Sequence, residues 1–356
     1  MFHRILVINP GSTSTKVGVY INEQPLCVST IRHTVEELMQ YEQIIDQHDF
    51  RQQLVIDWLK ANDIPFEFDA IIGRGGLIKP IPGGVYRVNR KMVYETYYAL
   101  RKHACNLGCI IAYELAKQQQ NGCKAYIADP VTVDELLPEA RVSGSPLIPR
   151  LAIWHALNQR AIARRYASEI GSQYDDLNLI ICHLGGGISI AAHQKGRAVD
   201  ANNALDGEGP LSPERAGTLP AADLIHLCYS GRYTEDQLKK RVAGQAGLMA
   251  HLGTTDILQI MQQVEAGDAH AKLLIDAMIF HTAKAIAAEG AVFSGQVDAI
   301  LITGGMAHSK YITQGIASRV KFIAPVHLFP GEDEMEALAL NALSVLRCEC
   351  VAKEYE

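Results

Sequence analysis

The chain has 356 residues, enough for two domains that each bury a core, and its 48% hydrophobic and 20% charged residues describe a globular protein rather than a disordered or fibrous one. A formal net charge of −6 argues against a general nucleic-acid binder, which needs clustered Lys and Arg, but leaves room for a small anionic substrate at a locally positive site. The eight cysteines (Cys27, Cys105, Cys109, Cys123, Cys182, Cys228, Cys348 and Cys350) form no CxxC pair and no zinc spacing, so they read as free thiols of a reducing cytosol. The opening MFHRILVINPGSTSTK turns polar after Ile8, too early for a signal-peptide core, and no apolar run reaches the roughly 18 residues of a membrane span. The expectation is a cytoplasmic enzyme with no membrane and no nucleic-acid partner.

In chain order, Ile5–Ile8 reads as a buried strand that empties into Asn9, Pro10, Gly11, Ser12, Thr13 and Ser14 and returns as strand-like Lys16–Tyr20. Apolar residues at helical spacing fill about 90–119 and 150–167, with a domain boundary expected near 145–155, after Ser145–Pro149. The first pattern then recurs. Leu179–Cys182 is followed by His183, Leu184, Gly185, Gly186 and Gly187, and the chain returns through Ile188–Ala192. His183 holds the place of Asn9 and Gly185 that of Gly11, close to half the chain apart, which predicts a duplicated α/β architecture with two glycine-tipped hairpins facing a cleft. Asp268–Phe293 is Ala-rich and reads as a long buried helix. Ala299–Ile302 is a third buried strand, ending in Thr303, Gly304, Gly305 and Met306. Glu334–Leu346 predicts a C-terminal helix with an acidic first turn, packed back on the first domain.

These loops suit phosphate although no Walker or kinase glycine loop is present, and HLGGGIS is followed by Ile190 where a third dinucleotide-fingerprint glycine would fall. The stretch from Asn9 to Lys16 offers backbone amides on a tight turn, hydroxyls and an ammonium. Gly185, Gly186 and Gly187 let a phosphate approach the backbone closely.

VINPGSTSTK, HLGGGIS and TGGMAHS resemble the two phosphate loops and the adenosine loop of the sugar kinase–Hsp70–actin superfamily, and within it the acetate and butyrate kinases. GRGGLIKPIPGGVY, ADPV and LDGEGPLSPERAGTLPAADL resemble the butyrate kinases in particular, and the likeness runs nearly end to end. The resemblance implies an α/β fold of two duplicated actin-like ATPase domains (ribonuclease H-like) with an interdomain cleft: 1–150 plus about 334–356 on the acyl-substrate side, and 151–333 on the nucleotide side. It implies ATP/ADP and Mg2+ as cofactors and a homo-oligomer, at least a dimer.

Residue by residue, the resemblance assigns Asn9, Ser12, Ser14 and Lys16 to phosphate and metal-water contacts. It assigns His183, Gly185, Gly186, Gly187, Gly304 and Gly305 to the nucleotide, and Arg74, Asp129, His155 and Arg215 to catalysis. The metal falls to Asp129 and to a glutamate of 332–336, taken as Glu334. The acetate kinases' Val-Val-His-Gly-Gly run and Gly-Thr-Ser-His extension are absent here, so Arg74 and His155 carry over without their neighbours.

The implied reaction joins ATP and a short or branched fatty acid, butyrate or a relative, to give ADP and an acyl phosphate, reversibly. Such a carboxylate, with a pKa near 4.3, arrives ionised and needs no base. Its approach to an anionic γ-phosphate requires positive charge, which two arginines, a histidine donor and magnesium supply. Val85, Pro130 and Val131 neighbour the matched motifs and are candidates for sensing chain length. Acetate or propionate as substrate, a sugar or glycerol kinase with Asp129 as base, and an actin- or Hsp70-like ATP switch are the alternatives.

Overall fold

The computed structural model describes residues 2–99 and 101–356. The chain forms two compact units, Met1–Val133 with Asp333–Glu356, and Asp134–Glu332.

In the first unit β1 (Arg4–Pro10), β2 (Ser14–Ile21) and β3 (Gln24–Arg32) form an antiparallel meander, and β4 (Ala70–Arg74) lies parallel to β1. Short β5 (Val85–Arg87) pairs antiparallel with β6 (Lys124–Ala128), which runs parallel to β4. Helices α1 (His48–Ala61) and α2 (Asn106–Lys117) and the C-terminal helix Glu334–Leu346 cover the sheet, so Ile5–Ile8 and Ala70–Ile72 are buried without a break, as expected of strands covered on both faces.

The contact between α2 and β4 is unusually close. A Cβ on Gly73 would lie 2.0 Å from the Gly108 carbonyl oxygen, and one on Gly108 would lie 2.5 Å from the Arg74 carbonyl oxygen. Only glycine at both positions lets the helix rest directly on the strand that ends in Arg74.

The second unit repeats the plan. β7 (Asn178–Leu184), β8 (Ile188–Gln194) and β9 (Arg197–Ala201) form the meander, with β10 (Ala299–Gly304) parallel to β7 and β11 (Val326–Pro330) parallel to β10. The order β11-β10-β7-β8-β9 matches β6-β4-β1-β2-β3, so the duplication expected from the paired hairpins is present in the topology. Helix α3 (Ala156–Glu169) and long α4 (Ala269–Glu289) flank this sheet, α4 burying Leu274, Ile275, Met278, Ile279 and Ile286.

Local readings are refined in three places. The stretch 90–119 holds two helices, Arg90–Tyr97 and α2. At the start of α2 buried Asn106 donates to the Arg101 carbonyl and accepts from the Leu77 amide, which spends the side chain on ordering the preceding turn. The stretch 150–155 is not helical, because Ile153 bridges Asn203 and its carbonyl accepts from Ala204. The chain passes between units at Val133/Asp134, ahead of Ser145–Pro149. Residues 134–150 group with the second unit: Glu135 accepts from the Ala198 amide and pairs with Arg160, and Leu137 donates to the Val199 carbonyl.

At the end of α4, Glu289 has one carboxyl oxygen shielded from solvent with no hydrogen-bond partner among the described residues. Burial, then the charges of Asp200 and Glu208 against the relief from Arg150, pushes its pKa up from 4.5 to about 8. Between those values the folded chain keeps a proton that the unfolded chain has lost, so this group's contribution to stability falls as pH rises through that window. Glu289→Gln is expected to make the loss of unfolding free energy between about pH 5 and about pH 8 smaller than in the wild type, as read by urea titration at both pH values. Gly108→Ala should lower the unfolding free energy by about 1–3 kcal/mol, because overpacking against β4 outweighs the ~0.8 kcal/mol that alanine gains in an open helix. Urea midpoints at an unchanged slope are the check.

Candidate active site

Ligand sites of open α/β sheets lie at the carboxyl ends of the parallel strands. In the first unit the adjacent ends of β1, β4 and β6 carry Asn9, Arg74 and Asp129. Arg74 is buried and ion-paired with Glu334 at the start of the C-terminal helix, and Asn9 Nδ2 donates to the other oxygen of Glu334 at 2.7 Å. Asp129 is fully buried at φ +39°; it exchanges hydrogen bonds with Gly84, accepting the Gly84 amide on Oδ1 at 2.7 Å and donating its own amide to the Gly84 carbonyl at 3.0 Å. Ser12 is exposed on the β1–β2 turn and Lys16 on β2, and Ser14 is half-buried. Val85 and Pro130 are buried and Val131 half-buried, Val85 lying opposite Ala128 in the sheet register.

In the second unit the equivalent ends of β7, β10 and β11 carry His183, Gly304 and the Gly331–Glu332 turn. Gly304 has φ +93°, exchanges backbone hydrogen bonds with Gly331, and a Cβ there would lie 2.4 Å from the Leu184 carbonyl oxygen. Gly305 has open space where a side chain would be. The Gly185–Gly187 turn is braced from behind: the Gly186 carbonyl accepts from Ser212 Oγ and from the Glu214 amide. The Arg215 guanidinium lies against Gly187, where a Cβ would meet it at 2.1 Å, and donates to the Ala204 carbonyl. Burial lowers the Arg215 pKa, partly countered by Glu214 and Asp206.

His155 is the N-cap residue of α3 rather than a member of its apolar face. Its ring stacks on His183 with centroids 3.8 Å apart and planes at 13°. His183 donates through Nδ1 to Asn158 Oδ1, and its Nε2 lies 3.1 Å from Glu332.

A buried chain of polar groups sets the tautomer of His155. Burial, then the charges of Arg160 and Arg164, holds His193 neutral; it accepts from Tyr174 on Nδ1 and donates from Nε2 to Gln159 Oε1. Gln159 Nε2 therefore donates to Ser189 Oγ, which also receives the His155 amide. With its acceptor capacity taken, the Ser189 hydroxyl donates to His155 Nδ1 at 2.8 Å. Neutral His155 then carries its proton on Nε2, as a donor.

Beside the Gly185 and Gly305 turns the second unit holds a cavity of about 760 Å³, lined by apolar Ile257, Leu258, Met261 and Met306 with Lys310 and Tyr311. This size and lining suit a small-molecule site with a few polar anchors. Among the described residues no three His, Cys, Asp or Glu side chains form a metal cage, all eight cysteines are free, and no helix is long and apolar enough to cross a membrane.

A sequence model described as the acetokinase family matches residues 150–324. A probable butyrate kinase of Bacteroides thetaiotaomicron is 62% identical over 353 residues, covering 99% of this chain and 100% of the relative. The chain belongs to the acetokinase family. A second relative, a probable butyrate kinase of Phocaeicola vulgatus, is 49% identical over 352 residues, covering 99% of each chain. The crystal structure of Porphyromonas gingivalis acetate kinase shares the fold with a TM-score of 0.78, covering 97% of this chain and 100% of that one at 16% identity. As an acetokinase the chain has the duplicated actin-like ATPase fold and is a phosphotransferase.

Within each unit the structure gathers the residues singled out from the sequence: Asn9, Arg74, Asp129 and Glu334 in the first, His155, His183, the glycine turns and Arg215 in the second. Sequence reasoning missed Asn158, Gln159, Ser189 and Arg51, and it named Glu332 only as one of the glutamates of 332–336. Two of these had a signal: Ser189 closes the HLGGGIS stretch, and Asn158 stands three residues after His155, hence on the same helix face. Ser189→Ala should lower kcat about 10- to 100-fold, a range seen when groups that orient a ligand are lost, while the ATP dissociation constant moves less than about threefold. Steady-state kinetics with calorimetric ATP titration check this; a shift in ATP affinity with kcat intact would remove Ser189 from the orientation of His155.

Proposed function

We propose that the protein transfers a phosphoryl group reversibly between ATP and butyrate, or a similar short or branched fatty acid, with acetate and propionate as weaker alternatives. Full-length identity of 62% to a probable butyrate kinase supports the substrate class. The structural observation that carries the carboxylate reading is the state of Asp129. A base for an alcohol needs an open carboxylate, whereas Asp129 is fully buried with Oδ1 on the Gly84 amide. A carboxylate substrate needs no base.

The chemistry is then charge management. A carboxylate oxygen bonds to the γ-phosphorus in line as the bond to the ADP oxygen breaks, through a loose transition state whose charge sits on the equatorial oxygens. Arg74 and Arg215 offer planar forks to those oxygens, and His155 donates from Nε2. Ser12, Ser14, Lys16 and Asn9 hold phosphate on the first unit's turn. Gly185, Gly186, Gly187, Gly304 and Gly305 admit the nucleotide phosphates on the second, and the apolar cavity takes the base. Val85, Pro130 and Val131 border the acyl chain, where one methylene is worth about 1–3 kcal/mol of discrimination.

Magnesium takes one or two carboxylates and fills its shell with water and phosphate oxygens, so the absence of a three-residue cage among the described residues fits it. Glu334 is engaged by Arg74 and Asn9 and is 15% exposed, and Glu332, 37% exposed, stands beside the Gly185 turn 3.1 Å from His183 Nε2. We assign the metal to Glu332, the more exposed of the two glutamates. When bound, the ion neutralises charge on the phosphates. The same reading includes a homo-oligomer, at least a dimer, in the cytoplasm.

The deciding experiment incubates the protein with ATP, Mg2+ and butyrate, acetate or glycerol, and traps acyl phosphate with hydroxylamine. Butyryl hydroxamate in excess of the acetyl product is the expected result; ATP hydrolysis indifferent to all three acceptors would leave an ATP-driven switch instead. In the same assay Arg215→Ala should reduce turnover by roughly 10²–10³-fold with ATP affinity within about threefold of wild type. Parallel losses would place Arg215 in ground-state binding.

A further inference from the structure

Behind the β1–β2 turn lies a cation that none of this chemistry has used. Arg51, on α1, is fully buried, and its hydrogen-bond partners are all neutral. Nη1 donates to the Gly11 carbonyl at 2.7 Å, the Ser14 carbonyl at 3.1 Å and Thr15 Oγ1 at 3.2 Å. Nη2 donates to the Ser12 carbonyl at 3.2 Å and, with Nε, to Gln47 Oε1. The remaining carbonyl of the turn, that of Thr13, accepts from the His33 amide at 2.9 Å. All four carbonyls from Gly11 to Ser14 are thereby engaged by protein donors. Ser12 and Thr13 are exposed, and among the described residues their amides donate to no acceptor.

We infer that Arg51 is a positioning residue for phosphate on this turn: it draws the carbonyls inward, leaves the amides and hydroxyls of Ser12 and Thr13 facing out, and sets a buried positive charge behind them that an arriving phosphoryl anion balances. The inference rests on the proposed phosphate role of the turn. A burial-driven fall in the Arg51 pKa to about 10 still leaves it protonated near neutrality. Neighbouring His33, bonded to Thr15 Oγ1, is pushed down to about 4, first by burial and then by the charge of Arg51 against that of Glu37, so it stays neutral. A buried cation without a carboxylate is costly, and a strut that only braced a turn would be better made from a neutral amide. An anion on the outer face gives the charge a use.

The test uses the full chain with Arg51→Lys, which keeps charge but loses the fork, and Arg51→Gln, which keeps donors but loses charge. Four quantities are read: the urea midpoint, kcat and KM for ATP and butyrate, amide exchange of the peptide covering residues 9–16, and its slowing by pyrophosphate. Arg51→Gln should cut kcat by roughly 10- to 100-fold per folded molecule, the scale of a displaced reacting group, and should abolish the slowing by pyrophosphate. Arg51→Lys should recover part of both. Kinetics of Arg51→Gln within about threefold of wild type, activity lost only in step with the folded fraction, or pyrophosphate acting equally on wild type and Arg51→Gln would each overturn the inference. Should wild type form no hydroxamate with any acid, the carboxylate-kinase reading fails by itself. The pyrophosphate arm then decides alone: slowing in wild type that Arg51→Gln loses sustains the role of Arg51, and no slowing in wild type overturns it.

Discussion

The ion pair between Arg74 and Glu334 fastens the last helix of the chain to the first unit. Arg74 ends β4, Glu334 opens the C-terminal helix, and Asn9 at the end of β1 holds the same carboxylate. Both paired side chains are largely withdrawn from water, where a guanidinium stripped of its partner would be an uncompensated charge. From the other face α2 presses on β4 through Gly73 and Gly108, so the strand that delivers Arg74 is fixed on two sides. This charged contact, backed by a close helix–strand approach, sets where the first unit holds Arg74.

The second unit has the same strand order and opposite habits. At the ends of β7 and β10 stand a histidine and glycine turns, and Arg215 lies on a loop packed on Gly187. Bare backbone admits a polyphosphate, and forked side chains manage the charge of the group in transit. The duplicated strand order thus carries different side chains at equivalent strand ends.

Behind these strand ends lies a layer of buried polar groups. Arg51 engages the carbonyls of the β1–β2 turn, and the relay from Tyr174 through His193, Gln159 and Ser189 directs the proton of His155. Both devices are buried, where hydrogen bonds polarise one another and an unmade one is costly. The geometry they impose is correspondingly sharp.

The sequence alone determined the strands Ile5–Ile8, Leu179–Cys182 and Ala299–Ile302, the glycine turns that follow them, the duplication and the family, because unbroken apolar runs and residues adjacent along the chain are local signals. It also determined Glu334–Leu346 as a helix. Only the tertiary structure decided that Glu334 pairs with Arg74 while Glu332 stands by the glycine turn, that His155 caps a helix instead of lining its apolar face, and that Arg51 serves the turn. Each of these depends on which distant side chain fills the last hydrogen-bond position around a buried charge, and no periodicity along a single segment records that.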